Sequence, residues 1–113
     1  MEEPATAIVA DLKLASAAIG GKWKPAILAC LVAGPRRFGA LRRAVGGVSE
    51  KVLAQHLREL EADGIVNRLV RHTVPPEVEY SISRHGLSLC DVVEQMASWG
   101  AKHRRFLARQ GAR

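Results

Sequence analysis

The chain has 113 residues, 48% of them hydrophobic, and carries 17 Lys and Arg against 11 Asp and Glu, for a formal net charge of +6. That length suits one domain that can fold without disulfides or metal, and the apolar content excludes global disorder. No apolar run reaches the roughly 18 residues that span a bilayer, which excludes a membrane-spanning helix, and the excess positive charge favours a polyanionic partner such as nucleic acid or an anionic membrane surface; the order of elements along the chain favours the first, and no membrane partner is expected.

The opening Met1-Glu2-Glu3-Pro4 is acidic and unlike a signal peptide, so the expected location is the cytoplasm. Ala5 to Ile19 is Ala-rich, with Ile8, Leu12, Ala15 and Ile19 on one stripe, and predicts a first helix that Gly20-Gly21 breaks. Pro25 fits the first position of a second helix, where its missing N–H costs nothing. That helix runs to about Val32, is apolar nearly all round and is expected to be buried. Gly34-Pro35 ends it.

Phe38 to Val45 predicts a short third helix with Phe38, Leu41 and Val45 inward and Arg36, Arg37, Arg42 and Arg43 around it. Gly46-Gly47 is a tight turn into the most informative segment of the chain. There Ser49 can cap a first turn with its hydroxyl, and Gly64 can take the left-handed conformation that ends a helix. With about 100° of rotation per residue, Leu53, Leu57 and Leu60 share one side, and Lys51, Ala54, Gln55, Arg58 and Ala62 share another. Two short helices joined by a Gly-containing turn make a helix-turn-helix, here at about 37–63, whose second helix reads the groove.

After Gly64 the pattern changes. Residues 65–72 are β-branched and partly alternating; Val78-Glu79-Tyr80-Ser81-Ile82-Ser83 alternates strictly, with Val78, Tyr80 and Ile82 on one face. Thr73-Val74-Pro75-Pro76-Glu77 between them cannot continue a central strand, so 65–83 predicts a stiff-tipped β-hairpin, a wing. Ser83 can cap a final helix with Gly86 inside its first turn, at about 84–105. In that helix Leu89, Val92, Val93, Met96, Ala97 and Trp99 form an apolar stripe too wide for solvent. The basic tail from Lys102 (Arg104, Arg105, Arg109, Arg113) is expected to fray.

The fold class this order defines is α+β, mainly α: a single winged helix-turn-helix domain over 1–113, with a two-stranded wing and extra terminal helices. The helices at about 5–19 and 84–105 need an apolar partner, and packing them on a second copy gives a two-fold homodimer. The chemistry of the second helix-turn-helix helix suits double-stranded DNA. A Gln can read an adenine edge, an Arg can read guanine or grip phosphate, and Ala leaves room for the base pairs. Lys51, Gln55 and Arg58 are the candidate base-reading residues. Arg36, Arg37, Arg42, Arg43 and Ser49 are candidates for the DNA backbone, and Arg71, His72 and Arg84 for wing contacts. Arg68 and His85 also lie near the wing. Trp23, Met96 and Trp99 are candidates for the dimer interface or for a pocket taking a small apolar or aromatic effector.

Other chemistries find no support. Cys30 and Cys90 lack Cys-x-x-Cys spacing, sit on apolar helical stretches that favour a buried structural role, and are too few for a disulfide scaffold. The His residues are scattered, so no metal site is expected. There is no Gly-x-Ser-x-Gly, phosphate-binding Gly loop or His-Glu-x-x-His. The chain is therefore read as no enzyme and as needing no cofactor. The rival is a winged-helix module that binds an acidic protein partner and has no operator.

Five segments in order resemble the HxlR-type winged-helix transcription regulators. They are Ile19-Gly20-Gly21-Lys22-Trp23, Ile27-Leu28-x-x-Leu31, Gly34-Pro35-x-Arg37-Phe38-x-x-Leu41-Arg42, Leu57-Arg58-Glu59-Leu60-Glu61-Ala62-Asp63-Gly64 and Val74-Pro75-Pro76-x-Val78-Glu79-Tyr80-Ser81. The resemblance implies a dimeric repressor or activator answering a chemical signal. Two departures follow from it. Redox-sensing members carry a Cys upstream of the Gly-Gly pair, where this chain has Ala10, so thiol sensing at that position is not expected. The family often has Ser or Thr where this chain has Lys24, so a capping bond is lost and a charge is expected near the DNA side.

Overall fold

The computed structural model describes residues 4–111; the Met1-Glu2-Glu3 opening and Arg113 lie outside it. In chain order the elements are α1 (Pro4–Ile19), α2 (Lys24–Leu31), β1 (Arg36–Arg37), α3 (Phe38–Val45), α4 (Glu50–Ala62), β2 (Val66–Arg71), β3 (Glu77–Ile82) and α5 (Cys90–Gly111), with a 3-10 turn at Gly86–Leu89 before α5. This is a mainly helical α+β winged helix-turn-helix. Its sheet has three antiparallel strands in the order β1-β3-β2, one more than the sequence predicts. Arg36 pairs with Tyr80 and Arg37 with Glu79. Two residues are too short for any periodicity to register, and only the partner strand makes them a strand.

The core lies where α2, α3 and α4 meet the sheet. Ile27, Leu28 and Leu31 from α2, Leu41 from α3, and Leu53, Leu57 and Leu60 from α4 close on Ile65 and Val66 at the start of the wing. Helix α4 is bounded as its sequence dictates. Ser49 Oγ accepts from Val52 N at 3.1 Å. At the other end Gly64, at φ 73°, donates to Glu61 and lets Ile65 N reach Leu60 O at 2.9 Å. These two bonds satisfy carbonyls the helix would otherwise leave open, and they bring Ile65 onto Leu60 in the core.

Several expectations are corrected. Pro25 is the second residue of α2, which begins at Lys24. Helix α2 is not buried all round: Ala29 and Val32 face an open groove beside Cys90 and Val93, because α5 crosses that side without covering it. Ser83 does cap, accepting from Gly86 N at 2.9 Å, but the first turn is 3-10 and the α-helix starts only at Cys90. The basic tail does not fray from Lys102, since α5 continues to Gly111. A run without Gly or Pro between Ala101 and Gln110 has no reason to leave the helix once nucleated.

Candidate nucleic-acid interface

Helix α4 presents Lys51, Gln55 and Arg58 to solvent while its leucine stripe is buried. The three side chains therefore share one exposed face held rigidly by the core beneath. Two of them are joined: Arg58 Nη2 donates to Gln55 Oε1 at 2.8 Å. This bond orients the Gln55 amide and leaves its NH2 free. Hydrogen bonds to base edges need such an oriented amide.

At the N-terminal end of α4, Arg42, Arg43, Gly46, Gly47, Val48 and Ser49 line an open concavity of about 480 Å³. Gly46 and Gly47 both have φ near 75°, a conformation that lets the chain reverse between α3 and α4. Arg42 is pinned: its Nε donates to Val48 O at 2.9 Å, and its Nη1 lies 3.5 Å from Glu50 Oε1. Arg43 has no ion-pair partner among the described residues. The site joins helix-terminal N–H groups to cationic side chains, which suits a phosphate oxygen.

The remaining candidates separate. Arg36 is half-buried and donates through Nε to Cys30 O at 2.7 Å, tying β1 to the end of α2. Arg37 lies 2.8 Å from Glu77 on β3. In the wing, Arg71 is held by Glu79, with Nη2–Oε2 at 2.8 Å, and His72 is exposed beside the tip. Arg84 is at the opposite end of the hairpin, next to Ser83, whose hydroxyl donates to Gly64 O at 2.6 Å. The wing candidates therefore do not form one cluster.

Trp23 is also apart from Met96 and Trp99. It packs half-buried on the core, with Lys22 Nζ 4.7 Å above its ring, and its indole faces Gly47. Met96 and Trp99 instead line an open apolar surface on α5 with Val92 and Gln95. Lys24 departs further from expectation. It is only 7% exposed, and its Nζ lies 3.5 Å from Glu59 Oε2 on α4. It thus braces α4 from beneath and adds no charge to an exposed face. No local signal marks this, because the partner is far along the chain. The lost cap is expected at Lys24, but the N-cap of α2 falls on Trp23, which makes no side-chain capping bond, and Lys24 is the first residue of the helix. Cys30 and Cys90 are free and half-buried, and Ala10 is exposed.

A leucine-anchored helix with an exposed cationic and amide face, preceded by a short helix and followed by a β2–β3 hairpin that pairs with β1, defines a winged helix-turn-helix regulator. The HxlR-like helix-turn-helix family model matches residues 18–107, and the chain belongs to that family. It is 48% identical over 85 residues to the uncharacterized HTH-type transcriptional regulator YtcD of Bacillus subtilis, a match covering 75% of this chain and 68% of that protein. The crystal structure of ytcD superposes with a TM-score of 0.79 at 44% identity, covering 83% of this chain and 96% of that one. The redox regulator HypR in its reduced form gives a TM-score of 0.81 at 41% identity, covering 88% and 98%. The chain is therefore an HTH-type transcriptional regulator and no enzyme. Among its described residues no helix is long and apolar enough to cross a membrane.

Proposed function

We propose that the protein acts as a homodimer whose two α4 helices enter successive major grooves of a roughly palindromic operator, about 34 Å apart. The observation that carries this reading is the exposed Lys51–Gln55–Arg58 face over the fully buried Leu53, Leu57 and Leu60. Gln55 and Arg58 read base edges with Lys51 beside them. Arg43 and Ser49 meet the phosphate at the head of α4; Arg36, Arg37 and Arg42 support that side while engaged with their own protein partners. His72 reaches the backbone from the wing tip, with Arg71 behind it. Dimerisation uses the apolar faces of α1 and α5, and a small apolar or aromatic effector seated beside Met96 and Trp99 would alter the spacing of the two reading helices.

The test is a mobility-shift titration and footprint on DNA upstream of the protein's own gene and its neighbour, with scrambled competitor at near-physiological salt. A competitor-resistant complex with a two-fold footprint is expected. Smeared binding, abolished equally by any competitor, overturns sequence-specific recognition and favours an acidic protein partner.

A further inference from the structure

A notch of about 320 Å³ lies between α4 and the sheet, lined by Ala54, Leu57, Arg58, Glu61, Arg68 and Tyr80. Arg68 stands opposite Tyr80 in the β2–β3 register. Directly paired residues project to the same side of a sheet, and sides alternate along a strand. Tyr80 packs on the core, so Arg68 shares the helix-facing side with Val66 and Val70. The Arg68 side chain is exposed, so its guanidinium is accessible from solvent at the notch. Arg68 has no hydrogen bond or ion pair among the described residues, and neither does the Tyr80 hydroxyl. Glu61, the acid in the notch, also lacks an ion pair. Three sets of donors, from Arg58, Arg68 and Tyr80, therefore converge with their capacity largely unspent.

We infer that this notch is a second phosphate cradle, taking the DNA strand that runs along the wing-facing flank of α4. The inference rests on the DNA-binding reading above and adds to it residues outside the helix-turn-helix. A helix with its side chains is about 10–12 Å wide and the major groove about 12 Å, so a helix in the groove has a phosphate backbone along each flank. One flank of α4 is turned to the sheet, and there the cradle lies. Arg58 belongs to both regions, since its guanidinium also holds Gln55. A phosphate in the notch therefore fixes the arm that orients the base-reading amide. Glu61 opposes the same phosphate and limits its grip.

The experiment measures affinity for an operator duplex and a scrambled duplex across a salt series. The variants are Arg68→Gln, Tyr80→Phe and Glu61→Gln, with thermal unfolding as a check on folding. Arg68→Gln is expected to weaken both duplexes by a similar factor and to lower the slope of log K against log salt by about 0.9. Tyr80→Phe weakens both several-fold with the slope unchanged. Glu61→Gln tightens both. An unchanged slope for Arg68→Gln, or a neutral Glu61→Gln, overturns the cradle while leaving DNA recognition intact. If Arg68→Gln fails to fold, the two conservative variants decide the matter. If the unaltered protein binds neither duplex even at low salt, both the cradle and the DNA reading fall.

Discussion

Gly86 sits where the chain leaves the wing and passes against its start. A Cβ there would overlap the carbonyl oxygen of Ile65 and lie 2.9 Å from Ile82 Cγ2. Backbone cannot yield as a flexible side chain can, so Gly86→Ala should destabilise by about 1–3 kcal/mol, the usual cost of overpacking. The check is a lowered urea midpoint at constant m-value. Gly100 gives the opposite case. It lies within α5 with nothing within 4 Å of its added Cβ, so Gly100→Ala should stabilise by roughly 0.5–1 kcal/mol. The two outcomes depend on packing, which the sequence does not display; from sequence Gly86 is only a residue in a helix's first turn. Gln55 shows what the sequence does display. Its exposure on the face opposite the leucines follows from spacing alone. Gln55→Ala should cost about 1–3 kcal/mol on the cognate duplex and almost nothing on a scrambled one, measured by competition titration. Equal losses on both duplexes would remove its base-reading role.

Among elements, the joint between α2 and α4 combines what could be read with what could not. The faces of α4, its Ser49 cap and its Gly64 stop are local properties and are legible in the sequence. The pairing of Lys24 with Glu59 is not, because helical periodicity places each residue on its own helix and says nothing of which helices meet. For the same reason β1, the open side of α2 and the meeting of Arg58, Arg68 and Tyr80 around one notch are visible only in the structure. Glu59 Oε2 lies 3.5 Å from Lys24 Nζ and 3.9 Å from His56 Nδ1, a buried nitrogen with no hydrogen-bond partner. One carboxylate therefore faces two groups that α4 and α2 keep from water. Removing it strands the Lys24 ammonium, whereas removing Lys24 leaves Glu59, 38% exposed, still reachable by solvent. Losing one partner of a fully buried pair costs about 3–5 kcal/mol, and the exposure of Glu59 reduces that figure here. Glu59→Gln should accordingly destabilise more than Lys24→Met, which should be close to neutral. Urea unfolding of the two variants checks the order; because Met keeps the apolar stem, the reverse order would mean that the Lys24 ammonium supports α4 through more than its contact with Glu59.

The whole molecule is broad and thin, 55 × 49 × 23 Å, with a radius of gyration of 16.8 Å. A compact domain of about 100 residues has a radius near 13 Å, so part of this chain projects from its own core. The projecting parts are α1 and α5. Ile8, Val9, Leu12 and Leu14 are exposed along α1, and Val92, Met96, Trp99, Phe106 and Leu107 along α5. Trp99 is 63% exposed, yet His103 stacks on it at 4.9 Å and on Phe106 at 6.0 Å, so the aromatic row is ordered without being covered. Contiguous apolar surface of this kind marks an interaction site, and two-fold pairing of identical faces satisfies it with no further partner. Large aromatic side chains at the centre of such an interface dominate its energy, often by about 2 kcal/mol or more each. For the proposed homodimer, Trp99→Asp should therefore raise the dissociation constant by at least roughly thirtyfold, seen as a slower-sedimenting species at micromolar concentration. Leu69→Asp is the control, on the outer face of the wing and 52% exposed, and should leave association unchanged. On DNA the consequence is geometric. A monomer retains α4 and both phosphate sites but loses the fixed spacing of two reading helices, so the Trp99→Asp footprint should shrink to a half-site and its affinity should no longer depend on half-site separation. A Trp99→Asp protein that stays dimeric and keeps the full footprint would move the interface away from α5, leaving the exposed row of α1 as the surface to test next.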